Sequence, residues 1–463
     1  MNALDERRWI YGEGVSPEWS EVVRRRRELA LAELARIEKT YLMQAPPGVR
    51  KRNYAAGLRY FLKTKGPQRD RLAVHPCFDY WLDLHARHFS APVEERDWHL
   101  QFGLFQSFPA ALALARGDRL DLDATADPDG RFYFYGTPDF LQAEPSAALS
   151  LRLADGRLSV NGGRAKIQQL IEAVAGIVAD DRGWLMVHGV TMHGLVRLEA
   201  PERARFAEVL GQALRDLAER DPGLHAEMTD MIFALVPLKN PLEHGSVSSS
   251  YVNLRGLIAL SHAEDRVLQA ETLIHEFCHQ KMNQLLVVDP VLLPGLSGQV
   301  FYSPWRADAR RLRGLLLGAH AFLNVARYLA TSLARETFPE EQHIELMVNV
   351  ALRLNQVEAA LKALTGYGAF TEFGRRFVLG MWSELEILRH CVLWFPAALL
   401  KEQAAAAAAH RREYALGDTG FHKNAGHVDV VRRAAFLTPK EDDETAEGAA
   451  KASAKVKAGG VKS

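Results

Sequence analysis

Apolar and polar positions change their period along the chain. In SPEWSEVVRRRRELALAELARIEKTYL the apolar residues recur at helical spacing after Ser16-Pro17, which predicts a helical N-terminal region over residues 1–70. Residues 71–265 read as mixed. GRFYFYGTP, from Gly130 to Pro138, alternates aromatics and ends in a turn, as a strand does. LSLRLADGRLSV predicts a hairpin that turns at Asp155-Gly156. DLDATADPDG reads as a loop, and its Asp order does not fit a calcium loop. Helical patterns are expected near 164–180 and 201–220. MIFALVPL (231–238) and YVNLRGLIALS (251–261) then read as buried strands, with NPLEHGSVSSS as the loop between them. Residues 266–436 carry long Leu/Ala-rich periods and few turn signals, so they form a helical region. Residues 437–463, ending AEGAAKASAKVKAGGVKS, are low-complexity and expected to be disordered. The sum is an α+β fold, predominantly helical, with a small mixed sheet packed against a large helical half.

Composition narrows the partners. Lys+Arg and Asp+Glu both number 57 in 463 residues, so there is no basic excess for a general nucleic-acid binder or a polybasic membrane anchor. The one dense basic run, Arg24 to Arg27, reads as a solvated helix face with glutamates nearby. Three scattered cysteines (Cys77, Cys278, Cys391) cannot build a disulfide framework. The start, MNALDERRWIYGEG, has no apolar run of the signal-peptide kind, and no stretch reads as a membrane span. A cytoplasmic location is the expectation.

Histidine is the informative residue type. VLQAETLIHEFCHQKMNQLL contains His275-Glu276-Phe277-Cys278-His279 in a strong helical pattern, directly after a predicted strand. Positions i and i+4 share a helix face, so two imidazoles there can hold one divalent metal. Glu276 is one residue on, close to the site but not between the ligands. Cys278 reads as packing. A zinc peptidase with Glu276 as general base is the default for this motif. The metzincin continuation fails, because Met282 and Leu285 stand where a Gly and a third His belong. No E-x-x-x-D helix follows either. A third ligand must come from elsewhere: His320, the lone histidine of RLRGLLLGAHAFLNVARYLA, with Asp308 as runner-up and Glu384 or His390 of MWSELEILRHC in reserve. A two-His, one-carboxylate set would suit a non-haem Fe(II) oxygenase. His75, His85 and His88 are spaced for a second site, but aromatics dominate their segment.

The stretches IHEFCHQKMNQLL and FYSPWRADARRLRGLLLGAHAFLNVA resemble the HExxH-motif peptide-modification proteins of bacterial ribosomal-peptide gene clusters. That family's pattern is H-E-hydrophobic-x-H-x-K-L-N-x-L, then Tyr-x-Pro-Trp-Arg, then a Gly-Leu-Leu helix. His275, Glu276, His279, Lys281, Asn283 and Leu285 match it, with Met282 in place of Leu, and so do Tyr302, Pro304, Trp305, Arg306 and Asp308. Val236-Pro237-Leu238, Ser248 to Ser250 and Leu260-Ser261 are similar too. The resemblance covers roughly residues 70–400. It implies a 2-oxoglutarate-dependent peptide β-hydroxylase acting on a precursor peptide, in some pathways beside a radical-SAM maturase. His275, His279 and His320 would hold Fe(II), with positions left for 2-oxoglutarate and O₂; Zn(II) is the alternative metal. Arg306 would clamp the distal carboxylate of 2-oxoglutarate, since a guanidinium pairs bidentately. Glu276 would orient a ligand or water, Trp305 would wall the pocket, and Ser248 and Ser249 would contact substrate backbone.

Overall fold

In the computed structural model, residues 17–50, 52–90, 98–127, 130–137, 139–164, 167–169, 171–174, 177–179, 198–240, 246–252, 254–263, 265–294, 299–417 and 419–423 are described. Helices come first: α1 (Pro17–Gln44), α2 (Pro47–Arg50), α3 (Tyr54–Lys63), α4 (Pro67–Leu72), α5 (Pro76–Ser90), α6 (Trp98–Phe105) and α7 (Ser107–Arg116). Strands β1 (Leu120–Thr125), β2 (Arg131–Tyr133), β3 (Asp139–Gln142), β4 (Ala148–Ala154), β5 (Arg157–Val160), β6 (Gly163–Arg164), β7 (Ile167–Gln169), β8 (Ile171–Val174) and β9 (Ile177–Ala179) follow. Next are α8 (Ala200–Arg220), α9 (Pro222–Met231), β10 (Ala234–Leu238), β11 (Ser248–Ser250) and β12 (Leu257–Ser261). The second half is helical: α10 (Arg266–Leu285), α11 (Leu312–Arg335), α12 (Glu340–Tyr367), α13 (Glu372–Cys391) and α14 (Ala397–Tyr414). The fold is α+β and predominantly helical, as its sequence predicts. No helix among the described residues is long and apolar enough to cross a membrane.

The five-stranded sheet, in the order β11-β12-β10-β9-β8, joins the two halves. β10 and β12 run parallel, in register from Ala234 against Leu257 to Leu238 against Ser261. All ten of their residues are buried, which explains why they read as continuous apolar runs without alternation. The two faces feed different cores. Leu235, Ile258 and Leu260 pack with the helical second half. Ala234, Val236, Leu238, Leu257 and Ala259 pack with α1 to α6. The other sheets, β1-β4-β5-β6 and β2-β3-β7, are antiparallel, and Leu122 pairs with Leu151 across β1 and β4. The hairpin at Asp155-Gly156 forms where predicted, with positive φ at both turn residues.

Several readings of the sequence change. The described residues between 164 and 179 lie in strands β6 to β9, not in a helix; Ile167, Ile171, Val174, Ile177 and Val178 are β-branched and favour the extended chain. Asp121 and Asp123 lie on the outward face of β1, not in a loop, because Leu120, Leu122 and Ala124 are buried opposite them. The serine-rich end of the expected 240–250 loop is β11, the edge of the sheet. The described residues from 71 to 116 are helical apart from 73–75 and 106, where one helix gives way to the next. Within the arginine run, Arg24 pairs with Glu21 and Glu28 on the surface, but Arg26 is buried against Asp79, Val74 O and Gln284. The 437–463 tail lies outside the described residues.

A buried ion pair ties α9 to α10: Lys281 Nζ is 2.7 Å from Glu227 Oε2, with side chains 4% and 6% exposed. Glu227→Ala would strand the ammonium in the core. Chemical denaturation should show a loss of about 3–5 kcal/mol, as expected when one partner of a buried pair is removed. A loss within the range of a surface pair, under about 1 kcal/mol, would mean that water reaches the pair.

Candidate metal centre

The site is built on α10, which four residues separate from the end of β12. Asp265 caps it, its carboxylate accepting from the backbone N–H of Val267 at 2.7 Å and of Leu268 at 2.8 Å. Fifteen of the twenty residues of α10 are buried, so its polar side chains need protein partners. Gln280 Oε1 accepts from Gly256 N at 3.2 Å, and its Nε2 donates to Leu254 O and Leu257 O at 3.3 and 2.9 Å. Gln269 Oε1 accepts from Ala263 N, and Gln284 accepts from Arg26. Thr272 and Ser246 share a hydrogen bond of 2.6 Å. Ser248 of β11 donates to Glu276 Oε1 at 2.7 Å. These contacts fix both the rotation and the height of the helix.

Fixed in that way, α10 turns His275, His279 and Asn283, each one turn apart, into a cavity of about 740 Å³. The Nε2 atoms of the two histidines face each other at 3.0 Å. Burial pushes the His275 imidazole well below its usual pKa, and the charges of His279 and Arg353 add to the shift. Burial also lowers His279, although Glu276 opposes it. Both rings are therefore neutral near pH 7 and offer lone pairs. Two nitrogens each about 2.1 Å from one cation on adjacent octahedral positions would stand about 3.0 Å apart, so the pair fits a shared divalent metal.

The cavity wall explains the flanking sequence. Gly318 and Phe322 of α11 face it. A Cβ at Gly318 would lie 2.1 Å from the indole of Trp305, so the glycine is what lets Trp305 seat against the helix. Phe322 packs between Trp305 and His275, at ring distances of 5.4 and 4.7 Å. Four arginines line the cavity, Arg306, Arg310, Arg313 and Arg353, and none of its described lining residues is an Asp or Glu. Arg353 comes from α12. Its guanidinium sits 4.3 Å over the Phe322 ring and bonds Glu271 and Gln356, both at 3.1 Å. Gln356 donates in turn to Pro304 O, next to Trp305.

The expected site residues divide clearly. His275, His279, Trp305 and Arg306 line one cavity. Glu276 does not; it faces β11. Of the serines, Ser250 reaches the cavity, whereas Ser248 holds Glu276 and Ser249 does not line it. His320 is fully buried and packs its ring against Phe377 of α13. It does not line the cavity, although Gly318 and Phe322, two residues to either side of it, do. Asp308 lies in the open between Arg306 and Arg310. Glu384 is buried 4.0 Å from Arg327, and His390 is exposed, its ring bonded to Glu386 O. Cys278 is buried, and burial pushes its thiol up to about 12. His75 and His85 are packed among aromatic rings, and the side chain of His88 lies outside the described residues. Among the described residues, no three His, Cys, Asp or Glu side chains are grouped to hold a metal. The sequence reading missed Arg310, Arg313 and Arg353. RADARRLR, with four arginines in eight residues, signals the first two. Arg353 has no local signal, since it arrives from a separate helix. Comparison of the chain with protein-family models and with curated proteins gives no match.

Two outcomes follow. Folded values below the unfolded one mean that the neutral rings contribute stability that is complete above about pH 6.5 and is lost as the pH falls through the folded values. Unfolding of the metal-free chain at a series of pH values should show that loss, and His275→Gln with His279→Gln should flatten it. A parent profile as flat as the variant's would contradict a buried neutral pair. In a Co(II) titration followed by absorbance, His275→Ala should weaken binding by more than about tenfold, since even outer-shell changes cost that much. His320→Ala should bind as the parent does; an equal loss there would put His320 on the metal.

Proposed function

We propose that this chain is an Fe(II)- and 2-oxoglutarate-dependent enzyme that hydroxylates a side-chain β-carbon of a peptide. One observation carries the reading: two convergent neutral imidazoles open into a cavity lined by arginines, with no carboxylate among its described lining residues. His275 and His279 would hold the iron. Bound there, Fe(II) would supply oxygen activation, in which O₂ and 2-oxoglutarate give CO₂ and succinate while one C–H of the peptide becomes C–OH.

The protein's part is to bind, orient and shield. Arg353 is better placed than Arg306 for the distal carboxylate of 2-oxoglutarate. It is the more enclosed of the two, and its charge is felt at His275. Phe322 beneath it and Gln356 beside it hold the guanidinium plane for a bidentate pair. Trp305 and Phe322 give the site an apolar wall that excludes water from the reacting carbon. β11 supports a peptide substrate: it is the edge strand of its sheet among the described residues, and its Ser250 lines the cavity. An extended chain can add to such an edge.

A zinc peptidase would use the same histidines differently. It needs the Glu276 carboxylate at a metal-bound water, inside the cavity. The bond from Ser248 draws Glu276 toward β11, which weighs against that use.

Anaerobic protein loaded with Fe(II) should develop a weak visible charge-transfer band when 2-oxoglutarate is added, and admission of air should release succinate. Arg353→Gln should weaken the 2-oxoglutarate dependence of that band by about tenfold, the contribution of one charge-assisted pair. Iron that binds without band or succinate would sink the oxygenase. Peptide cleavage by the zinc-loaded chain, abolished by Glu276→Gln with metal retained, would establish the peptidase.

A further inference from the structure

The cavity holds more positive charge than the proposed reaction uses. The distal carboxylate of the co-substrate needs one guanidinium, and Arg353 takes that part. Arg306 and Arg310 clasp opposite oxygens of Asp308 at 2.8 and 2.7 Å, two cations on one carboxylate. Arg310 Nε is buried without a hydrogen-bond partner among the described residues. Arg313 makes no ion pair or hydrogen bond among them. It stands in the first turn of α11, where Arg311 at the N-cap supplies no side-chain acceptor, so the helix terminus adds to the positive potential.

An independent feature lies across the cavity. Asn283 is 6% exposed and one turn beyond His279. Its Oδ1 is buried with no hydrogen-bond partner among the described residues. Every other buried polar side chain of α10 makes at least one hydrogen bond, although Gln269 Nε2 also lacks a partner among the described residues; Asn283 is the one that lines the cavity. A carboxamide carries a donor and an acceptor, which is the complement of a peptide bond.

We propose that the cavity selects an acidic peptide: Arg313 with Arg310 binds a side-chain carboxylate of the substrate, and Asn283 hydrogen-bonds its backbone. This rests on the reading of the chain as a peptide-modifying enzyme, but it concerns recognition alone. Arg313 is exposed and lines the cavity, so it would meet a carboxylate of a peptide that enters there.

The test is calorimetric titration of the full chain at low salt with two short blocked peptides, identical except for Asp or Asn at the centre. The Asp peptide should bind at least about tenfold more tightly, the lower end for one charge-assisted hydrogen bond. Arg313→Gln should remove most of that difference. Asn283→Ala should weaken both peptides alike and leave their ratio unchanged. Equal binding of the two peptides, binding of neither, or a preference that survives Arg313→Gln combined with Arg310→Gln would overturn the proposal. Repeating the titration with excess 2-oxoglutarate separates the two sources of carboxylate. A preference that persists supports a peptide site, and one that vanishes assigns these arginines to the co-substrate and overturns it. No turnover is measured, so a chain that prefers the Asp peptide yet makes no succinate keeps this inference and loses the oxygenase.

Discussion

The interior placement of α10 is the constraint on which the rest of the structure depends. A helix with seven buried polar side chains is stable only if most of them find partners, since an unmet group costs about 1–3 kcal/mol. Gln269, Thr272, Glu276, Gln280, Lys281 and Gln284 find theirs on α1, α9, β11 and the loops around β12. Apart from Ala263, six residues before Gln269, these partners are distant in sequence, so their bonds also tie other layers to the helix. The tie through Gln280 is the most demanding. One carboxamide serves the backbone of three residues in the turn that leads into β12, and so couples the sheet to the helix that follows it.

That anchoring gives the remaining face of α10 its chemical freedom. His275 and His279 are held with their Nε2 atoms converging, and Phe322 fixes one ring from the opposite wall. The electrostatics around them are unusual for a cation site. Glu271 and Asp308 answer two of the four guanidinium charges, and the two left over repel a divalent ion held by neutral rings unless anions enter too. Anionic ligands would therefore bind together with a metal, each offsetting the other's charge. A neutral peptide on a hydrolytic zinc would leave that charge unanswered. A dicarboxylate co-substrate and an acidic peptide would meet it.

Much of the architecture was legible because its signals are local. Helical periods in the second half, the apolar runs of β10 and β12, and the Asp155-Gly156 turn all depend on neighbouring residues. The errors arise where a short apolar run is compatible with two periods. Residues 164–180 hold enough apolar positions for a helix, and their β-branched side chains decided for strands once the sheet supplied partners. β1 was obscured by its outward aspartates, although its inward Leu120, Leu122 and Ala124 alternate cleanly. Arg26 shows the opposite case: nothing in a run of four arginines says which one meets Asp79 in the core.

At the site the same division holds. The spacing of His275 and His279 follows from helix geometry, so the sequence by itself determined that two imidazoles share one face. Only the tertiary structure decided what surrounds them. His320 lies on a helix that does wall the cavity, but its rotation is set by packing against α13, and the ring points to Phe377. Arg353 arrives from α12 with no sequence signal, because its place depends on how two long helices cross. Contacts between residues far apart in the chain come from the packing of whole faces, and a local pattern carries no record of which face a distant helix will present.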